Sequence, residues 1–254
     1  MLFVALNAIF GAVMGSFLNV VAERSVSGQR WWGAERSRCD ACGKVLSAWE
    51  LVPIASFLLQ KGRCRGCGAF LGWRYLFVEL IGAGLGGFLS WRFGMSWAWV
   101  LALLSGYGLF LSSLTDIYGG YVYDSFVIAM GFLGLAFRVI NGLGAAADGL
   151  FGAALGGGVM AILIVASRGK MGWGDATLSA GVGALLGWKM TALALYFGFL
   201  TGGSVALTLL ALKKVGRKDP LPFVPFLAMG GVLAVVFGPQ LIVRFGYSPG
   251  WPWG

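Results

Sequence analysis

Histidine is absent from all 254 residues. That gap excludes every catalyst built on an imidazole: Ser-His-Asp and Cys-His nucleophile systems lose their base, and an HExxH zinc protease loses two of its ligands. Acidic residues are nearly as scarce, ten in all, and charged residues make up only 11% of the chain. With 58% hydrophobic residues and a mean hydropathy of +0.82, a water-soluble fold would have too little polar surface to cover itself. The chain therefore reads as an all-α polytopic membrane protein.

A helix needs about 20 apolar residues to cross a bilayer. Candidate spans fall at roughly 2–22, 76–94, 96–115, 122–140, 146–167, 176–188, 190–212 and 222–243, about eight transmembrane helices. The sixth is short and is expected to be tilted or only partly inserted. The first lacks a basic start and runs into Glu23-Arg24 rather than a small-residue cleavage site, so it reads as a retained helix, not a removed signal peptide. Gly82–Gly86 and Gly152–Gly156 repeat at helical spacing and suit close helix contact. No internal repeat of opposite topology is evident. Trp91, Trp97, Trp188, Trp251 and Trp253 sit near span ends, as an interfacial aromatic belt would.

Lys and Arg near span ends stay on the cytoplasmic side. Nine lie between the first two spans (Arg24, Arg30, Arg36, Arg38, Lys44, Lys61, Arg63, Arg65 and Arg74). Arg168 and Lys170 follow the fifth span, and Lys213, Lys214, Arg217 and Lys218 follow the seventh. The other side holds only Arg92, Arg138, Lys189 and Arg244. Both termini should thus face outward and the long loop 23–75 inward. The net charge of +9 becomes a topology signal and an attraction to anionic membrane lipid. Nothing in its distribution suits a nucleic acid.

The four cysteines all lie in that loop, as Cys39-Asp40-Ala41-Cys42 and Cys64-Arg65-Gly66-Cys67 with 21 residues between the pairs. Two CxxC pairs at such spacing match a zinc-ribbon-like site, in which four thiolates close a tetrahedral, structural shell with no open position. Gly43 and Gly68 follow the pairs, where the chain must turn sharply. The loop is too short for much core of its own, so the metal would supply folding energy. Disulfides, which a cytoplasmic location disfavours, and unliganded thiols are the other readings.

Among the acids, Glu23, Glu35, Asp40 and Glu50 belong to the loop and Asp219 to the last cytoplasmic connection, leaving Glu79, Asp116, Asp124, Asp148 and Asp175 in or near the membrane. Ionisable groups at that depth are costly and mark function. Asp148, in "NGLGAAADG", is expected in a solvated outer loop. Asp116 closes the third span and Asp175 opens the sixth, 59 positions later, both at the cytoplasmic surface. Two carboxylates meeting at one depth suggest an aspartyl dyad that shares a proton, one acting as base toward water while the other polarises a carbonyl. Interfacial helix caps are the structural alternative. The glycines of Gly172-Trp173-Gly174-Asp175 are expected to admit unusual dihedrals and a close peptide backbone. Glu79 is expected to pair with Arg74 or with a ligand amine.

These residues resemble the type IV prepilin leader peptidases, membrane aspartyl proteases of the GxGD class. The resemblance runs from Gly15-Ser16-Phe17-Leu18-Asn19-Val20 through both CxxC pairs, Asp116 and "GWGD" to "PFVPFL" at 222–227. It implies that Asp116 and Asp175 are catalytic, while Cys39, Cys42, Cys64 and Cys67 hold structural zinc. It further implies cleavage of the basic leader from prepilins or pseudopilins at the cytoplasmic face of the bacterial inner membrane. Many members with the cysteine loop also methylate the new N-terminal amine from S-adenosylmethionine; no glycine-rich nucleotide fingerprint is visible here, so no residue is assigned to that donor. On that second activity, Glu79 and the loop are a candidate methyl-transfer site. The chain departs from the family at Val122-Tyr123-Asp124, where Ile-Pro or Leu-Pro is usual before the acid, and at Thr177, where a lysine is common. Asp124 is read as a cap or anchor. The domain plan is a first helix at 1–22, a zinc-binding loop with the four cysteines at 23–75 and a protease core at 76–254. The competing readings are an ion- or proton-coupled transporter using Asp116 and Asp175, and a non-enzymatic assembly factor docking through the loop.

Overall fold

The computed structural model describes residues 1–253 apart from 33–35, 169–170 and 217–220. Glu35, Lys170, Arg217, Lys218 and Asp219, which contribute to the charge pattern above, lie outside the described residues. Among those described, the chain is helical: α1 (Leu2–Val26), α2 (Ala55–Leu59), α3 (Trp73–Phe93), α4 (Trp97–Gly119), α5 (Asp124–Ile140), α6 (Leu143–Ala166), α7 (Trp173–Leu186), α8 (Trp188–Ala211) and α9 (Val224–Arg244). Six of them, α1, α3, α4, α6, α8 and α9, are long and apolar enough to cross a membrane, and the protein is a multi-pass membrane protein. The other two long helices, α5 with 17 residues and α7 with 14, fall short of that length. The chain forms two compact units, Met1–Met95 and Ser96–Gly254.

In the first unit α1 and α3 pack antiparallel. Gly15 lies against Val78 and Gly82 against Gly11, so contacts run backward along one helix as they run forward along the other. A Cβ on Gly15 would stand 2.6 Å from the Val78 carbonyl oxygen, which is why a glycine is required there. An Arg74–Glu23 ion pair of 2.7 Å joins the polar ends of the two helices.

The loop between them contains two matching knuckles. In each, the first cysteine and the following glycine close the turn: Gly43 N–H donates to Cys39 O at 2.8 Å and Gly68 N–H to Cys64 O at 2.9 Å. Both glycines hold a φ of +72°, the left-handed conformation that glycine adopts without penalty. Isolated bridges Arg38↔Val45 and Arg63↔Phe70 flank the knuckles. A 3-10 turn at Ala48–Leu51 follows the first knuckle, and its Glu50 binds Lys44 at 3.0 Å.

In the second unit the short α7 is the central element, packed against α4, α5, α6, α8 and α9. At about 1.5 Å per residue it spans about 21 Å, less than the roughly 30 Å hydrocarbon core. Its flanking helices cover it, with Leu178, Leu185 and Leu186 fully buried. The α6–α7 pair is as close as α1–α3: Gly152 lies against Gly183 and Gly156 against Ser179.

The far end of α7 corrects two expectations. Asp148 is no solvated loop residue; it lies within α6 and receives Arg138 Nη1 at 2.8 Å. Arg138 is fully buried. It also donates to Ala145 O of α6 at 3.1 Å and, from Nε and Nη2, to Leu185 O at 3.2 and 2.9 Å, capping an orphan carbonyl that ends α7. Trp253 Nε1 caps Leu186 O at 2.8 Å, and Trp251 lies 5.7 Å from the Arg138 guanidinium. Trp253 is thus buried, a tertiary plug and not part of an exposed aromatic belt. Gly187, at φ +82°, turns the chain directly from α7 into α8, and a Cβ there would strike Asp148 and Arg138.

Candidate active site

Asp116 stands in the last turn of α4, before Gly120 ends the helix in the left-handed conformation. Its carboxylate is half-buried, and Oδ2 accepts the Val224 N–H at 3.2 Å. Val224 is the first residue of α9, so the carboxylate takes one of the unsatisfied amides at a helix N-terminus. That amide belongs to "PFVPFL", which sequence reasoning marks only as a family string. Pro222 and Pro225 flank the pair Phe223-Val224 and have no N–H to offer.

Asp175 lies in the first turn of α7, also half-buried, and its neighbouring charge is that of Asp116. The fold therefore brings the two carboxylates within electrostatic reach. Among the described residues neither has a cationic partner. Such an arrangement favours one shared proton.

The glycines before Asp175 differ from expectation. Gly172 has ordinary dihedrals, φ −76° and ψ 143°, and open space where a Cβ would be. Gly174 sits inside α7, and a Cβ there would stand 3.0 Å from Val122 Cβ. Glycine at 174 thus serves close packing against the α4–α5 connection, not an unusual backbone angle. Beyond that connection Asp124 begins α5 and accepts a hydrogen bond from Thr177 Oγ1. The same oxygen lies 3.0 Å from Gly174 O, so its single proton is shared between the two acceptors. On sequence alone Asp124 and Thr177 stand apart; their 53-residue separation hides the link.

In the first unit the four cysteine Sγ atoms lie within 4.8 Å of one another and could hold a metal ion. Cys39 and Cys67 are 3.9 Å apart at sulfur, close to the roughly 3.8 Å edge of a tetrahedron with metal–sulfur bonds of about 2.3 Å and far from the roughly 2.05 Å of a disulfide. The Gly66 N–H donates to Cys64 Sγ at 3.3 Å. Amide hydrogen bonds, from Cys67 first and then Gly66, hold the Cys64 thiol down to about 7.

Glu79 does not take the expected partner. Its buried carboxylate accepts Ser16 Oγ at 2.9 Å and the Ile54 N–H at 2.6 Å, while Arg74 pairs with Glu23.

Comparison with known proteins bears on both units. Residues 9–93 match the bacterial peptidase A24 N-terminal domain and residues 103–207 the type IV leader peptidase family. A prepilin leader peptidase/N-methyltransferase of Stutzerimonas stutzeri is 32% identical over 96% of this chain and 93% of its own length. Proteins of the same name from Pseudomonas aeruginosa (32%, covering 94% and 92%) and Bacillus subtilis (34%, covering 92% and 94%) are similar throughout. No solved structure matches. With the family's two domains found in order along one helical membrane chain, the protein belongs to the type IV leader peptidase family.

Proposed function

We propose that this protein is an aspartyl endopeptidase that removes the basic leader of type IV prepilins or pseudopilins at the cytoplasmic face of the bacterial inner membrane, with Asp116 and Asp175 as the dyad. The observation that carries the reading is the pairing of two half-buried carboxylates in a chain without histidine. The ionised member removes a proton from water, and the protonated member hydrogen-bonds the scissile carbonyl. Attack forms a tetrahedral intermediate, and its collapse passes a proton to the leaving amine. The dyad titrates as one unit. The Val224 amide fixes Asp116, and Thr177 with Asp124 steadies the turn that carries Asp175. A transporter built on the same aspartates is not favoured, since the relatives are named as peptidases.

The domain plan of first helix, loop 23–75 and protease core from 76 onward is kept as part of this proposal. Cys39, Cys42, Cys64 and Cys67 would hold one zinc ion, closing the two knuckles into a ribbon. Freshly purified protein should contain about one zinc per chain, and chelation should expose the loop to protease; metal-free protein with an intact loop overturns the site.

By its relatives' name the protein would also methylate the new N-terminal amine. S-adenosylmethionine would supply the methyl group. Among the described residues no strand exists, so the strand-to-helix glycine turn that cradles nucleotides in many enzymes is absent, and the donor is not placed on named residues.

The decisive experiment is mass spectrometry of a pilin-like substrate mixed with the membrane-reconstituted enzyme. Loss of the leader with wild type but with neither Asp116→Asn nor Asp175→Asn is expected. Normal cleavage by either variant sinks the dyad.

A further inference from the structure

Buried Glu79 joins the loop to the first unit's helix pair. It lies six residues into the membrane-spanning α3, about 9 Å along the helix from Trp73, although its side chain leans part of the way back toward the helix start. One carboxylate oxygen binds Ser16 of α1 and the other binds the Ile54 N–H of the loop. The loop backbone thus reaches past the first turn of a membrane span.

The residues after Ile54 suit that depth. Phe57 of α2 packs on Trp73, the first residue of α3, with ring centres 5.7 Å apart, and Phe70 stands 5.8 Å from the same indole. Leu58 and Leu59 are 62% and 79% exposed, two adjacent leucines that the protein covers only in part. Phe70, Trp73 and Phe77 are also exposed, and Trp73 and Phe77 share one face of α3 at four-residue spacing. An apolar surface therefore continues from the span onto α2.

Backbone at such depth must satisfy its polar groups within the protein. Pro53 has no N–H. Ala55 N–H binds Pro53 O at 2.6 Å, Ser56 N–H binds Val52 O at 2.9 Å, and Leu58 N–H binds Ile54 O at 3.0 Å. The Ile54 amide is taken by Glu79. Ile54 holds φ +62°, a conformation that a β-branched residue rarely adopts, and the Glu79 bond maintains it. Just beyond α2 come Lys61 and Arg63, both exposed.

We propose that residues 52–59 form an interfacial segment inserted into the headgroup region of the bilayer, with Leu58 and Leu59 in lipid, Glu79 as its internal anchor, and Lys61 and Arg63 on anionic lipid phosphates. The occupant is set by continuity with the apolar face of α3 and by the adjacent positive charge, a combination that marks interfacial elements.

The test uses the full-length protein in nanodiscs of phosphatidylcholine and phosphatidylglycerol, with a benzophenone amino acid in place of Leu59. Leu207, 68% exposed on the span α8, serves as the lipid-facing control. Irradiation should give lipid adducts at position 59 as abundant as at 207. Adducts confined to protein, or none to lipid while 207 labels normally, overturn the insertion. In the labelled protein, Lys61→Gln and Arg63→Gln should lower the phosphatidylglycerol-to-phosphatidylcholine adduct ratio, by up to about fivefold for each charge removed. An unchanged ratio overturns the assignment of anionic lipid.

Discussion

The two ends of α7 carry opposite electrostatic arrangements. At its C-terminal end the buried Arg138 meets Asp148, and the carbonyls of Leu185 and Leu186 are capped by Arg138 and Trp253. At its N-terminal end Asp175 faces another acid, Asp116. One end is neutralised and closed, as a structural joint requires. The other brings two carboxyl groups together without a cation among the described residues, where one shared proton costs less than two charges. The difference separates a closed joint from a pair of acids with no described cation within one 14-residue helix.

The largest effect should come from the acidic end. Asp175→Asn and Asp116→Asn are expected to lower cleavage by at least about 10³-fold, the scale of lost general acid–base catalysis. Thermal unfolding in detergent should show either variant as stable as wild type or more so, because a like-charge contact is relieved. A variant that loses activity only because it unfolds would erase the contrast between the ends.

Arg138→Met should do the reverse. It leaves Asp148 without its partner and the Leu185 carbonyl at the end of α7 uncapped, at a cost of about 3–5 kcal/mol. Cleavage per folded molecule should hold. The double change Arg138→Met with Asp148→Leu should recover much of the stability, and a melting-temperature series of the three variants reads this directly.

A smaller effect is expected at Thr177, whose hydroxyl links Asp124 to the turn bearing Asp175. Thr177→Val removes the link without adding bulk, at about 1–1.5 kcal/mol, or roughly tenfold in kcat. KM should stay near wild type, and Thr177→Ser should restore the rate. A change in KM alone would place Thr177 in substrate binding instead.

The smallest concerns the loop. The Ser47 N–H, and then Lys44, hold the Glu50 carboxyl down to about 2 from an ordinary 4.5. A depressed carboxyl adds stability above its unfolded value and loses it as pH falls through the folded one. Resistance of residues 44–51 to protease should therefore decline between about pH 4.5 and about pH 2, and Glu50→Gln should flatten that decline.

How much can be read from sequence depends on distance along the chain. The cysteine knuckles are legible because CxxC and the glycine after it are local, and Gly43 and Gly68 take the left-handed turn that their position demands. The eight long helices among the described residues are legible from runs of apolar residues. Asp148 misleads because its neighbours Gly142, Gly144 and Gly149 look like a loop, whereas Leu143–Ala166 is helical. Glycine costs a helix little when flanking helices press against it, as Gly152 and Gly156 show. Arg138 looks like a topology charge because nothing in its neighbourhood names Leu185 O as its acceptor.

By itself the sequence determined the membrane class, through a hydropathy that water cannot support, and the exclusion of imidazole catalysis, through the lack of any histidine. It also determined the knuckles, whose geometry is set within a few residues. Tertiary structure alone decided what each acid meets: Asp148 an ion pair with Arg138, Glu79 the Ser16 hydroxyl and the Ile54 amide, Asp116 the Val224 amide. A carboxylate's state depends on the donors and charges within a few ångströms of it, and packing of helices distant in sequence supplies these.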